Sequence, residues 1–204
     1  ELTRDNTRNW FQANKTRYEA QLKTPSQLLQ EQIRADLNKI CESPVTTKLF
    51  RPQRDIRFSK DKTPYHTHLH MLWRVHGTLD FGLFLGISPG SCKIGGGVMG
   101  FDKSQLLTWR DSIDSTQGPT IASALDALAQ QGFKTGEPEL KRVPTAYDKN
   151  HPQADLLRRK SLTLWRDLPA SDWSQPLAAL NSGFADLMPL RAFLIDSLTA
   201  KRTS

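Results

Sequence analysis

Residues 81–101 read FGLFLGISPGSCKIGGGVMGF, and this stretch decides the fold. Its first eight positions place a large apolar side chain at every second residue, which is the period of a β-strand. Pro89 and Gly90 interrupt that pattern and predict a turn. A second strand begins near Cys92 and crosses three glycines. Two strands joined by so short a turn predict an antiparallel β-hairpin.

The three glycines of the second strand, residues 95–97, invite a comparison with nucleotide-binding loops. Gly95, Gly97 and Gly100 satisfy the pattern G-x-G-x-x-G. A dinucleotide site, however, needs those glycines in a turn that opens directly into a helix, whereas the next helix signal here comes only after Asp102. The pattern therefore favours a structural role, namely a bulge or the close approach of another backbone.

Helical patterns lie on both sides of the hairpin. Residues 7–22 and a second segment that opens at Thr24 predict two adjacent helices, broken at Pro25. Asp102 opens a third helix with a capping box, and a fourth runs from residue 119 to Gly132. A short helix around residues 155–159 and an amphipathic terminal helix with a kink or restart at Pro189 complete the set.

Two further strand regions complete the predicted sheet. Ile56 and Phe58 alternate with polar residues and predict a strand that ends in a polar loop. Residues 133–143 predict a second hairpin, and residues 161–165 an extended segment. No linker or internal repeat divides the chain. We therefore predict one α+β domain over residues 1–204, with an antiparallel or mixed sheet of hairpins packed with several helices.

The composition excludes several classes of protein. The 204 residues are 37% hydrophobic and 24% charged, which is enough to bury a core and unlike a disordered chain. No window approaches 18 uninterrupted apolar residues, and no secretion signal is visible at the start. The two cysteines, Cys41 and Cys92, have neither the number nor the spacing of a disulfide framework or a metal site. These features predict a cytoplasmic protein with no cofactor.

Positive charge is concentrated in one segment of the chain. The sequence contains 28 Lys and Arg against 21 Asp and Glu, so the net charge is +7. Residues 48–62 hold six basic side chains against Asp55 and Asp61, and 6 − 2 gives +4 in fifteen residues. Such a concentration attracts phosphate, carboxylate or nucleic acid. A solvated basic surface is the alternative, and so is a set of structural ion pairs.

Five segments together carry a resemblance to a known family. They are NWFQANK at residues 9–15, RDIRFSKDKTPY at residues 54–65, the glycines at 95–97, LKRVP at residues 140–144, and the His-Pro pair at 151–152. In this order they resemble DUF2461, a domain family whose name records that its activity is not established. His66 stands where this family is expected to place Lys. The resemblance implies no catalytic residue, substrate or cofactor.

The basic segment gives the main functional hypothesis. Arg offers a planar fork for two-pronged contact with phosphate or carboxylate, and Lys adds a mobile charge. The sequence predicts a site for an anionic ligand, completed by two residues of the second hairpin if the hairpins share a sheet. Its predicted members are Arg54, Arg57, Lys60, Lys62, Tyr65, Lys141 and Arg142. Whether such a site would also be catalytic stays open, because no motif of a known reaction is present.

Two alternatives compete with this hypothesis. The basic segment could serve as a contact surface of a nucleic-acid or protein interaction module, although no motif that reads RNA or DNA is present, so nucleic acid is not favoured. It could also be a purely structural network, in which the arginines pair with Asp55, Asp61 or other carboxylates. Salt dependence separates the first alternative from a small-molecule site.

Three histidines follow the basic segment at every second position: His66, His68 and His70. A strand would aim all three imidazoles to one face, where they could bind zinc. The next carboxylate along the chain, Asp80, is ten residues beyond His70. Surface or packed histidines are therefore favoured, and no metal site is predicted.

Overall fold

The computed structural model describes residues 1–199, without the side chain of Thr199. One six-stranded sheet is packed with helices. Its elements are α1 (Arg8–Ala13), α2 (Lys15–Tyr18), a π-helical turn (Glu19–Lys23), α3 (Thr24–Cys41), β1 (Val45–Leu49), β2 (Leu69–Val75), β3 (Phe81–Ser88), β4 (Ser91–Val98), α4 (Lys103–Ile113), α5 (Gly118–Gln130), β5 (Lys134–Thr135), α6 (Ala154–Leu157), β6 (Leu162–Asp167), a 3-10 turn (Ala170–Ser174), α7 (Pro176–Ala185) and α8 (Met188–Thr199).

The sheet has the strand order β1-β2-β3-β4-β6-β5, and every neighbouring pair is antiparallel. The predicted hairpin forms its centre: Ser88 pairs with Ser91, so Pro89 and Gly90 are the two residues of the turn. The α+β class predicted from the sequence is confirmed. None of the helices within residues 1–199 is long and apolar enough to cross a membrane.

Helices cover one face of the sheet and leave the other largely open. Trp73, fully buried at the centre of the covered face, packs against Phe184 of α7 with ring centroids 5.4 Å apart. Its indole N–H donates to the carbonyl oxygen of Gln30 in α3 at 3.0 Å. Since side chains alternate along a strand, His70 and Phe84 belong to the opposite face. There Trp165 stacks on Phe84 at 5.3 Å.

The glycines of β4 let β6 approach closely. Gly97 has φ +138°, and a Cβ atom there would collide with the carbonyl oxygen of Leu162. A Cβ on Gly95 would collide with the backbone of Leu164 and would lie 2.8 Å from the ring of Trp165. The structural role predicted for these glycines, close approach of another backbone, is therefore confirmed.

The predicted break between the first helices is wrong. The chain stays helical through Thr24, which makes no capping hydrogen bond, and Pro25 lies in the first turn of α3. The physical reason is the π-helical turn directly before it. A wider turn places no carbonyl where the proline ring would clash, and Pro25 has no N–H to leave unsatisfied.

Two strand predictions are also wrong. Residues 51–68 form a loop with one isolated bridge, between Gln53 and Tyr65, instead of a strand. The segment predicted as a second hairpin contributes only the two residues of β5, which pair with β6. By contrast, the capping box from Asp102 to Gln105 and the end of α5 near Gly132 are confirmed.

Candidate functional site

The segment with the highest density of positive charge is the loop between β1 and β2, residues 50–68, which we call the basic loop. Two short backbone hydrogen bonds close its base: Arg54 N–H donates to Pro64 O at 2.9 Å, and His66 N–H donates to Pro52 O at 2.7 Å. Residues 55–63 form the tip beyond this closure. Within the tip, hydrogen bonds made by side chains take the place of the backbone hydrogen bonds that would pair a strand with its neighbour.

Arg54 is the internal crosslink of the basic loop. Its side chain is 20% exposed, and it donates to Asp61 and to both the hydroxyl and the carbonyl oxygen of Thr63. The Asp61 carboxylate also accepts the Thr63 N–H at 2.9 Å. This backbone hydrogen bond and the Arg54 guanidinium lower the pKa of Asp61 to about 2. Arg54 therefore has its partners inside the loop.

The other basic side chains of the tip lie at the surface. Arg57 grips Asp55 with two donors, Nε to Oδ1 at 3.0 Å and Nη2 to Oδ2 at 2.7 Å, and this contact lowers the pKa of Asp55. Lys62 Nζ donates to the carbonyl oxygen of Ile56 at 2.9 Å. Lys60 is exposed. The basic loop thus contains two internal ion pairs, and Lys60 and Lys62 remain exposed to solvent.

Tyr65 fixes the basic loop to the first helix. It is 6% exposed and stacks on Phe11 with centroids 4.1 Å apart and an interplanar angle of 17°. Asn6 brackets its backbone, donating to Tyr65 O at 2.9 Å and accepting from Tyr65 N at 3.1 Å. The position of Tyr65 is that of an anchor in the core.

Lys141 and Arg142 lie apart from the basic loop. Both are exposed, and the segment that carries them is tied to the residues before β6 by Leu140 N–H donating to Arg158 O at 3.1 Å. Strand pairing puts the start of β6 level with Val98, at the opposite end of the sheet from the β3–β4 turn and the basic loop. The sequence placed these two residues in the site only if both predicted hairpins shared one sheet. The second hairpin does not form, so this condition is not met.

A cleft of about 820 Å³ opens beside the base of the basic loop, and we call it the N-terminal cleft. Its helical wall comes from α1, α2 and the start of α3, and its floor from the ends of β2 and β3. The aromatic side chains in its lining are Trp10, Phe11, Tyr18 and Phe50. Arg17, Gln21, His66 and His68 supply polar groups. A largely apolar cleft with a few polar groups is the usual form of a small-molecule site.

Arg17 is the guanidinium of the N-terminal cleft. Its side chain is 47% exposed and forms an ion pair with the carboxylate of Glu1. Next to it on the helix, Tyr18 has a pKa raised by burial and by the neighbouring charge of Glu19, so its hydroxyl keeps its proton at neutral pH. The wall therefore offers a fixed positive charge and a neutral hydroxyl side by side.

The three histidines form a stack, although only His70 belongs to a strand and His66 and His68 lie in the basic loop. The centroids of His66 and His68 are 4.7 Å apart, and those of His68 and His70 are 4.2 Å apart. The row runs from the N-terminal cleft to the open face of the sheet. Burial, and secondarily the charge of His68, lower the pKa values of His66 and His70. Both rings are therefore neutral at pH 7 and able to accept a proton or a hydrogen bond.

Metal binding finds no support in residues 1–199. These residues contain no group of three His, Cys, Asp or Glu side chains placed to hold a metal ion. The two cysteines are half-buried and unpaired with each other, and burial raises the pKa of each thiol. Cys41 lies 3.6 Å from the sulfur of Met188, a contact typical of packing.

Sequence reasoning missed the residues that shape the N-terminal cleft. The helical spacing of residues 7–22 includes Trp10 and Tyr18 but gives them no binding role, and it does not mark Arg17 or Phe50. A usable signal was present, because Trp10 belongs to the segment NWFQANK that carries the family resemblance. What the sequence could not show is that Tyr65 would join that segment to the basic loop.

Comparisons with known proteins give a family and nothing more specific. Neither the curated proteins nor the solved structures contain a significant match to this chain. The family model described as a conserved hypothetical protein, DUF2461, matches residues 1–193. That span takes in the N-terminal cleft, the basic loop and the whole sheet. The chain therefore belongs to the DUF2461 family.

Proposed function

We propose that the protein binds a small organic anion, bearing phosphate or carboxylate, in the N-terminal cleft. One observation carries this proposal: a cleft of about 820 Å³ combines four aromatic rings with a guanidinium and two imidazoles. The rings suit a flat or apolar body, and the polar groups suit an acidic end. Arg17 already holds a carboxylate, that of Glu1, and a ligand's acidic group would make the same contact.

The basic loop supports an anion through its remaining charge. Its two ion pairs, Arg54 with Asp61 and Arg57 with Asp55, cancel within the loop. Of the five basic residues in the basic loop, 5 − 2 leaves three without a carboxylate partner among residues 1–199. They are Arg51, Lys60 and Lys62. Their field raises the local concentration of anions around the adjoining cleft.

The residues predicted as ligand contacts take different roles in this proposal. Tyr65 holds the loop against α1, Arg54 crosslinks the loop internally, and Lys60 and Lys62 contribute charge. Arg57 has its fork occupied by Asp55 and serves the loop itself. We propose binding and assign no reaction to the imidazoles.

A second candidate function is the binding of single-stranded nucleic acid, on the open face of the sheet. The observation in its favour is a pair of rings beside one lysine: His70 and Trp165 both lie over Gly86, and Lys93, which pairs with Asp167 at 3.4 Å, lines the same hollow. Aromatic rings beside lysines are the usual platform for stacked bases. Its affinity would fall steeply with salt, whereas that of a cleft ligand would change little.

The test is calorimetric titration with nucleoside monophosphates, sugar phosphates and aromatic carboxylates. Arg17→Gln removes the charge from the cleft wall, and Arg57→Gln makes the same change on the basic loop outside the cleft. We expect Arg17→Gln to weaken the best ligand about tenfold or more and Arg57→Gln to leave it unchanged. No binding to the wild type, or equal loss in both variants, would refute the proposal. Tight, salt-sensitive binding of an oligonucleotide would favour the second candidate.

A further inference from the structure

Arg159 is a buried cation in a part of the fold far from the basic loop. It belongs to the run DLLRRK, residues 155–160, whose three consecutive basic residues on a helix predict a basic solvent face. The neighbouring Arg158 fits that prediction in part, since it pairs with the exposed Asp155. Arg159 does not fit, because it is only 8% exposed.

The hydrogen bonds of Arg159 leave its guanidinium incompletely satisfied. Nη1 donates to the carbonyl oxygen of Gly136 at 2.8 Å, and Nη2 donates to the hydroxyl of Thr135 at 2.9 Å. Nε is buried and has no partner. Among residues 1–199, no carboxylate lies within ion-pair distance of this side chain. A guanidinium has five N–H donors; two are used here, Nε–H is enclosed by the protein, and Nη1 and Nη2 each keep one further N–H.

A buried charge without a counter-ion is costly and needs an explanation. Burial lowers the pKa of Arg159, although the more distant charges of Glu139, Asp155 and Glu137 oppose that change. The nearest of these acids have other partners: Glu139 accepts from Lys160 N–H at 2.9 Å and from Ser161, and Asp155 pairs with Arg158. The protein thus surrounds Arg159 with neutral acceptors only.

Arg159 lines a cleft of about 620 Å³, which we call the α5 cleft. One wall is a face of α5, where Ala122, Leu125, Asp126 and Ala129 recur at helical spacing. The remaining walls come from β5, from Leu164 of β6, and from residues 152–156. The α5 cleft shares no lining residue with the N-terminal cleft.

We propose that the α5 cleft binds a small organic carboxylate, with Arg159 as the residue that receives it. The planar fork of a guanidinium matches the two oxygens of a carboxylate, and Nη1 and Nη2 each keep a second N–H beside the one given to the protein. Leu125 and Leu156 would contact the apolar part of the ligand. The exposed acids Asp126 and Asp155 in the lining disfavour a polyanion, which makes a carboxylate a better complement than a polyphosphate.

The Nε–H group gives a direct readout in the wild-type protein. We would record ¹H–¹⁵N correlation spectra of the arginine side chains during titration with sodium benzoate, and assign the Arg159 signal from its absence in Arg159→Lys. Expected is a saturable shift of the Arg159 Nε–H signal, because a carboxylate at the Nη groups changes the charge distribution of the delocalised guanidinium. Arg57 is the internal control, since its Nε already donates to Asp55.

Four comparisons complete the experiment. Benzyl alcohol, which lacks the carboxylate, should bind at least tenfold more weakly than benzoate, and calorimetry should show the same loss for benzoate with Arg159→Lys, which lacks the arginine signal. Pyrophosphate should bind more weakly than benzoate, and Arg17→Gln should leave the shift unchanged. No saturable shift in wild type, or an equal drift at Arg57, would overturn the proposal. Tighter binding of pyrophosphate would overturn the assignment to a carboxylate.

Discussion

Replacing Tyr65 tests whether the basic loop is built around an anchor or around a ligand contact. The ring is 6% exposed and stacks on Phe11, which is itself 4% exposed. An aromatic side chain buries about 150–250 Å², worth ~4–6 kcal/mol at ~25 cal/mol per Å², and alanine keeps part of it. Tyr65→Ala should therefore lower the free energy of unfolding by about 3 kcal/mol.

Tyr65→Phe is the matched control, because it keeps the ring and removes only the hydroxyl. That hydroxyl has no hydrogen bond to residues 1–199, so Tyr65→Phe should match the wild type in stability and in ligand affinity. For a chain of this size, about 3 kcal/mol corresponds to a fall in Tm of about 6–12 °C. Circular dichroism during thermal unfolding measures it. Wild-type Tm in Tyr65→Ala, or loss of ligand binding in Tyr65→Phe at unchanged stability, would contradict the anchor role.

Three further predictions concern single residues. The Asp61 carboxylate, with a pKa lowered to about 2, stabilises the fold above its ordinary pKa of 3.8 and loses that effect as the pH falls toward 2. In urea unfolding, Asp61→Asn should be less stable than wild type at pH 7 and nearly equal to it at pH 2. Gly97→Ala should cost more than about 2 kcal/mol by the same assay, because φ is +138° and the new Cβ would strike β6, whereas Gly100→Ala, with nothing nearby, should stay within about 0.5 kcal/mol. His68→Ala should raise the pKa of His70 toward 6.5 in an NMR titration, since it reduces burial and removes a like charge; an unchanged value would exclude coupling in the stack.

The parts of the fold that could be predicted are those with local signals. The hairpin at residues 81–98 follows from alternation and a Pro-Gly turn, and the start of α4 follows from the side chains of Asp102 and Gln105. In both cases the residues that decide the conformation are within four positions of one another. The glycines of β4 were correctly given a structural role, although only the structure identifies β6 as the backbone they admit.

The basic loop shows why alternation alone can mislead. Ile56 and Phe58 alternate with polar residues, yet Phe58 is 96% exposed, so the pattern does not report a buried face. The conformation depends instead on the ion pair between Arg54 and Asp61, which are seven residues apart in the sequence. A side-chain bond over that separation leaves no periodic signal in the sequence.

The two clefts depend on contacts between distant segments. The N-terminal cleft needs Tyr65 to meet Phe11, and the α5 cleft needs Arg159 to turn toward Thr135 while Arg158 turns toward Asp155. Arg158 and Arg159 directly follow the single turn of α6 and contact different neighbours, so Arg158 is half-buried and Arg159 is buried. Composition and spacing cannot distinguish them.

The strand order has a consequence for the newly made chain. Strands β1 to β4 pair with their neighbours in sequence, but the partner of β4 on its other side, β6, begins only at Leu162, after residues 99–161. During synthesis the edge of β4 that later pairs with β6 therefore stays unpaired until those 63 residues have been added. An unpaired strand edge can pair with a strand of another chain and so cause aggregation. Glycines weaken such pairing, because they have no side chain to pack and lose more conformational freedom in a strand. Gly95, Gly96 and Gly97 thus protect the growing chain at the same positions where they later admit β6.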